Sequence, residues 1–540
     1  MRGLWCGILL AVASAWAQQP VSVSGTASDA RTGTPLAGAT VTAFAASTQV
    51  EVNPAMMTRG LQATTDAQGH YTLRDMPPGQ YSVSVRTADQ LGSFATRVVS
   101  VAPGRDVKAF DFHVTARGTI RGKVTNEAKL PVPGATVLLV VREYQGGQLR
   151  TLVTGSTQAN EKGEFTLPGV EAGRAYRLLS EKRVPIAGPV SNEARDLKLR
   201  KRVSAPTFYP NAADVDSAST VTLLAGEQRD AVNIQMRSVT GQCIEATLDA
   251  AGAPTPLMFW VQAEGLGNGP GTFLPPPGGM TAADGRLRVC GLAPGNYRLA
   301  AIHMLQMGAK EVRYGSSSVT IDKADVSKVR VSAQGGTELK GEVVWDGDIP
   351  AAATTTLTVG LTPIHRAPLQ GERRDGGRSP IPGKFTIAGV LRDDYMVRIN
   401  VDGPGVYVKD VQFAGASVLH TPLRMGLSPD GAGLRIVVAR DGGVVRATTT
   451  SGARVVVMPA SAASEAELAG SMVSALADQD GLFVSATLAP GKYYVLAVGG
   501  ELDLSAETVG KLWRARNAAQ AVDISAGGSA TVQVIAGEWK

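Results

Sequence analysis

Cysteine, histidine and aromatic residues are scarce in this chain of 540 residues, and each shortage excludes something. Three cysteines are too few for a Cys-rich metal site or a densely stapled scaffold. The five histidines, His70, His113, His303, His365 and His420, are isolated, and none begins a His-x-x-Glu or His-Glu-x-x-His pattern, so zinc-peptidase chemistry lacks its ligand set. Neither a Gly-x-Ser-x-Gly elbow nor a Gly-Lys-Ser/Thr phosphate loop occurs. A formal net charge of +6 is weak for this length and does not argue for nucleic acid. Apolar runs are short too. The longest opening is Leu4–Ala13, after Arg2 and before the small-x-small site Ala15-Trp16-Ala17, which reads as a signal peptide over residues 1–17. Cys6 precedes the end of that apolar core, which is too early for a lipoprotein cysteine. No later run approaches a membrane span, so no transmembrane segment is expected. These absences predict a non-enzyme with no cofactor and no metal, exported to the periplasm or the extracellular space.

What the chain has is turns: Gly 62 and Pro 30, distributed in a pattern. Asp66-Ala-Gln-Gly69-His-Tyr71-Thr-Leu73 runs on to Pro78-Gly79-Gln-Tyr81, and the same spacing recurs. Gly163 leads to Phe165, Gly173 and, one residue late, Tyr176; Gly285 leads to Leu287, Gly295 and Tyr297. Gly383 leads to Phe385 and Tyr395, with Asp393 in place of the second glycine, and Gly481 leads to Phe483, Gly491 and Tyr493. Each part has a mechanical reason. Asp-x-x-Gly is a tight turn in which the carboxylate caps its own backbone and glycine takes a positive φ. The apolar residues at +2 and +4 are one buried face of a strand. Pro-Gly makes the next turn, and the tyrosine opens the following strand at a corner where its hydroxyl reaches nearby backbone. The motif is therefore a hairpin inside an all-β domain.

Five copies, 94, 122, 98 and 98 residues apart, predict five β-sandwiches of one kind. We place them at 18–114, 115–236, 237–333, 334–441 and 442–540, the second carrying a long insertion at 181–219. The junctions are short and contain no Ser/Gly-rich or Pro-rich linker, which predicts an elongated, stiff array of beads. The fifth copy adds short helical segments, near Ser464–Leu476 and after Ser505, where Ser505 caps and Val509, Leu512 and Trp513 share a face.

Gly122-Lys-Val124, Pro133-Gly-Ala-Thr-Val137, Asn160-Glu-Lys-Gly163-Glu-Phe165 and Ala172-Gly173, with their counterparts elsewhere, resemble the carboxypeptidase regulatory-like domain. This is a transthyretin-like, Ig-like β-sandwich related to the collagen-adhesin B-type repeats. The resemblance implies a multi-domain secreted bacterial protein and carries no peptidase activity. Related folds among starch-binding modules imply a carbohydrate-binding-like role. The expected partner is accordingly a glycan or a cell-envelope protein; a structural or accessory subunit of an envelope complex is the alternative. Oligomeric state is not legible. Some related repeats carry a Lys–Asn isopeptide bond, and Lys123 lies in a first strand.

The insertion supplies candidate ligand residues. Phe208 and Tyr209 form a sugar-stacking pair or, alternatively, anchor the loop to the sandwich. Asn211, Asp214 and Asp216 group oxygens that a cation would use, a better cluster than the Asp-x-x-Gly turns, for which turn capping is the better account. The alternating basic run Arg195–Arg202 reads as the solvent face of a strand. Finally, Cys243 and Cys290 remain after processing and lie in one repeat, so export predicts a disulfide between them. Alternation opposes it, because aligning Gly241 with Gly122 turns Cys243 into the core and Cys290 outward. A bulge at Cys290-Gly291 would reconcile the two.

Overall fold

The computed structural model describes residues 21–45, 60–88, 93–145, 147–182, 202–268, 278–304, 312–347, 355–366, 369, 375–401, 403–427, 431–499 and 502–537. The signal peptide, Cys6 and Arg195–Lys201 lie outside them. The chain is almost entirely β, in tandem sandwiches with short helices in the last, and divides into two compact units, Met1–Ala116 and Arg117–Lys540.

One plan recurs five times. The first strand of each sandwich pairs antiparallel with the motif strand and parallel with the closing strand. In the first sandwich Val21–Asp29 lies between His70–Met76 and Phe112–Val114. The facing sheet runs Leu61–Thr64, Thr40–Ala45, Gly79–Arg86 and Phe94–Val101. The same parallel closure joins Val124 to Ile234, Leu248 to Val331, Val343 to Ile436 and Ala447 to Val532. Each pair of sheets encloses its own core, drawn from one stretch of chain and led by the apolar residues of the motif.

The repeated turn works through backbone geometry. Gly69, Gly163, Gly285 and Gly481 all have φ between +75° and +77°. At Gly285 a Cβ would sit 1.9 Å from the Leu248 carbonyl oxygen, and at Gly481 2.1 Å from that of Thr449, so the turn closes against the first strand and admits no side chain. The Asp66 carboxylate accepts from the amides of Gln68 and His70 at 2.9 and 2.8 Å, and Asp478 accepts from Asp480 and Leu482 at 3.0 and 2.8 Å. Gly383 departs from the motif: it has no positive φ, and its turn contains the cis bond Ile381–Pro382. The tyrosines repeat more faithfully. Tyr81, Tyr297, Tyr395 and Tyr493 each donate to the carbonyl oxygen four residues earlier, at 2.9, 2.8, 3.2 and 2.9 Å. Tyr176, displaced by its one extra residue, bonds the backbone of Glu171, five residues back.

In the fifth sandwich, Ser464 Oγ caps the helix Glu465–Ser471 and Ser505 Oγ caps Ala506–Ala515, each accepting from the amide three residues on. Val509 and Leu512 are fully buried. With Leu468, Leu512 covers Val456 and Met458, on the face of that sheet turned away from the main core.

Between residues 117 and 540 the sandwiches also touch partners that are not their neighbours in sequence. The second sandwich owns a long hairpin, Thr136–Gln145 and Gln148–Gln158. Its second strand takes on a strand of the third sandwich in parallel, Thr151 opposite Leu266 and Val153 opposite Asn268. Its first strand meets the fifth, where the Tyr144 amide donates to the Leu504 carbonyl oxygen at 2.8 Å. At the tip, Gly147 has φ +67°, and its Cβ would lie 2.8 Å from the carbonyl oxygen of His420 in the fourth sandwich. Short junctions restrict neighbours in sequence, but a hairpin this long reaches past them.

Candidate functional site

The loop that supplied candidate ligand residues packs inward. Thr207–Phe208 adds to the hairpin sheet by pairing with Ser180 and Leu179. Phe208 is 9% exposed and lies among Leu138, Val140, Val153 and Leu179, with Ala212, Val215, Ala218 and Leu266 alongside. Tyr209 packs partly buried against the main core, its amide donating to the Leu178 carbonyl oxygen at 2.9 Å. Phe208 therefore presents no free face to a sugar ring and anchors the loop to the sheet. The reason is physical: the sheet beneath is apolar on both faces, and the loop covers the second one. Asp214 accepts from the amides of Asp216 and Ser217 at 3.0 and 2.9 Å, and the bond from Ser217, ahead of its other partners, holds its pKa below the ordinary value. Asp216 pairs with Arg142 and Asn211 is exposed. Turn capping engages Asp214 and one ion pair engages Asp216. Among the described residues no group of three or more His, Cys, Asp or Glu is arranged to hold a metal ion. In the same sandwich the Asn233 side-chain oxygen accepts from the Lys123 backbone amide at 2.9 Å.

The disulfide is present, joining Cys243 to Cys290 across 47 residues. They face each other directly in the antiparallel pair, with an irregularity beside them at Gln242. The alignment that set Cys243 into the core was off by an odd number. Leu287 pairs with Ala246 as Phe165 pairs with Gly122, so Ala246 and not Gly241 is the counterpart of Gly122. A shift of five residues inverts the faces. Ile244 belongs to the core, and both cysteines share the opposite face, buried at 0% and 7% exposure. Gly291, at φ +84°, is the extra residue of the bulge.

A partly buried charged cluster lies between the second and fifth sandwiches, where sequence reasoning placed nothing. Arg174, beside the corner of Tyr176, pairs with Glu143 of the hairpin and reaches Glu171 and Asp503 at 3.4 Å each. Arg177 meets Glu507 at 3.4 Å. Burial pushes the Glu143 carboxyl above its ordinary range, against the pull of Arg174. Burial also opposes the charge of Arg174, but Glu143, Tyr176, Asp503 and Glu171 outweigh it. A raised carboxyl means that the folded joint binds a proton more readily than the unfolded chain. The burden of the buried Glu143 charge is then fully present above its folded pKa and is relieved as pH falls through it. Changing Arg174 to Gln strips that carboxylate of its cation. The variant should lose about 2–3 kcal/mol at pH 7 and recover part of it at pH 5, measured by urea unfolding of residues 117–540. Equal losses at both pH values would reduce Arg174 to a packing residue.

The third and fourth sandwiches meet around Tyr314, which is packed with Ala300, Ile302, Val312 and Leu391. Arg366 lies over its ring at 4.7 Å to the centroid and pairs with Asp393, Nε to Oδ2 2.8 Å. Asp393 is the residue that replaces the second glycine of the motif. The fourth copy departs from the pattern at the place where it docks.

These features define a class: β-sandwiches in tandem, four of them fastened to one another by strand pairing, backbone contact and partly buried ion pairs. Residues 22–115 match the family model of the carboxypeptidase regulatory-like domain. No curated protein matches the chain in sequence. Among solved structures it is similar to a streptococcal ancillary pilin, at 13% identity over 58% of this chain and 99% of that one, TM-score 0.18. It is also similar to the minor pilin of Streptococcus agalactiae, at 14% identity over 41% and 96%, TM-score 0.23. A third is the major pilin subunit of Bacillus cereus, at 13% identity over 58% and 100%, TM-score 0.16. Scores this low carry no argument about function.

Proposed function

We propose that the chain is an exported, non-catalytic scaffold of the cell envelope, which fixes several β-sandwiches in one arrangement and offers their outer surfaces to a protein partner. The observation that carries this reading is the central hairpin. It meets three other sandwiches: the third through strand pairing at Thr151–Val153, the fifth through a backbone bond at Tyr144 and the partly buried cluster of Arg174, Glu143 and Asp503, and the fourth where Gly147 closes on the His420 carbonyl oxygen. Such joints fix relative placement and perform no chemistry. The Cys243–Cys290 bond supports an oxidising compartment, and the match of the first sandwich supports an accessory role. A glycan reading loses its best residue with Phe208 buried. Fractionation of the native host, with thiol trapping, tests the export. The mature chain should be recovered outside the cytoplasm with both cysteines oxidised. A cytosolic chain with two alkylated thiols overturns the proposal.

A further inference from the structure

The outer face of the third sandwich carries a methionine pair. Met258–Ala263 lies between Gly295–Met304 and the edge strand Gly278–Met280. Phe259 and Val261 turn into the core, so Met258 and Trp260 stand on the opposite face. Met258 pairs directly with Met280, and Trp260 with Gly278. Met76, Met236 and Met458 are fully buried elsewhere in the chain, whereas Met258 and Met280 are 43% and 46% exposed. Two thioethers that reach solvent thus face each other across one pair of strands. Gly278 is imposed by the backbone, since a Cβ there would lie 2.2 Å from the Phe259 carbonyl oxygen. As a consequence the edge strand places no side chain opposite the indole. Trp260 is itself partly buried and packs with Tyr314, 6.1 Å between ring centroids.

Reach and chemistry then agree. Side chains directly opposite on antiparallel strands start about 4.5–5.5 Å apart, and diagonal neighbours stay within reach of long ones. The flexible, polarizable methionine side chain lets both sulfurs approach a common point, beside an indole whose ring face attracts cations. The other positions paired with Met258 and Trp260 are Ile302 and Ala300, both buried and apolar, and neither brings a carboxylate or an imidazole. Neutral thioethers suit a soft cation such as Cu(I). Calcium and magnesium need oxygen ligands, and zinc takes thiolate, imidazole or carboxylate. The cysteines of this sandwich are closed in the Cys243–Cys290 bond, while a thioether keeps its lone pairs in the same compartment. We propose that Met258, Met280 and the ring face of Trp260 bind one soft monovalent cation of the Cu(I) class. This site is independent of the protein partner of the scaffold.

Titration of the mature full-length chain with Ag(I), an air-stable probe of the same class, tests this in chloride-free buffer with the disulfide intact. One equivalent should bind and quench part of the tryptophan emission. With isotope-labelled methionine methyls, the two resonances missing from Met258→Leu and Met280→Leu should shift together. The Met258→Leu/Met280→Leu chain keeps apolar side chains at two exposed positions. It should unfold at the temperature of the parent and lose the saturable binding. Trp260→Phe should keep the methyl shifts and lose the quench. Absence of saturable binding by the parent overturns the proposal, and so does binding that is unchanged in the double leucine chain. If that chain does not fold, each single leucine variant decides by the same criterion. Zn(II) moving the same two resonances at equal concentration overturns the choice of a soft cation. A quench that survives in Trp260→Phe removes the indole from the site.

Discussion

Replacing Tyr81 by alanine should destabilise the first sandwich by about 3–5 kcal/mol, one of the two largest single effects expected in this protein. The ring is 2% exposed and packs with Val41, Val83, Val99 and their neighbours. The hydroxyl holds the Pro77 carbonyl oxygen at 2.9 Å, closing the turn that the strand has just left. Two losses therefore combine: a cavity, and a carbonyl deprived of its donor. Tyr81→Phe separates them. It keeps the ring and should lose only about 1 kcal/mol. Residues 18–116 contain a complete core, so urea unfolding of that fragment measures both. An alanine variant within 1 kcal/mol of the parent would show that the corner does not bear on stability.

The second large effect is loss of the Cys243–Cys290 bond. Opening a crosslink over 47 residues returns about 4 kcal/mol of chain entropy to the unfolded state in the loop-closure model. The third sandwich is the one that should feel it, because its motif strand carries Leu287 where other copies place an aromatic ring. A Cys243→Ala/Cys290→Ala chain should exchange the amide hydrogens of Gln242–Ala250 and Arg286–Leu292 faster than the parent, with the first sandwich unaffected. Unchanged exchange in both strands would mean that the bridge adds nothing to local stability.

What could be read in the sequence was local. The turn at Gly285 and the corner at Tyr297 depend on residues within a few positions of each other, so spacing alone exposes them. The disulfide was legible from count and compartment. Its facing was not, because the parity of a strand depends on which residue of its partner it meets, and Gly241 was the wrong anchor for that alignment. The inter-sandwich contacts were invisible for a different reason. Arg174 meets Asp503 across more than 300 residues, and no motif spans such a distance. A signal did exist. Val137-Leu-Leu-Val-Val141 and Val455-Val-Val-Met458 are unbroken apolar runs among strands that otherwise alternate. Such runs mark strands covered on both faces, and the structure covers them with the insertion loop and with the two helices. The same signal argued against Phe208 as a surface residue.

The hairpin of the second sandwich also sets a schedule. Arg177 and Glu507 are 330 residues apart. At ordinary rates of synthesis the later partner is made roughly 15–70 s after the earlier one. The second sandwich has its own core, but until the fifth is in place its hairpin stands without that partner, and the edge at Tyr144 is an open template for any strand that passes. The Arg and Glu side chains along that edge keep it wet while it waits. Assembly of the four sandwiches thus waits on the last hundred residues of the chain, which decide when the hairpin is closed.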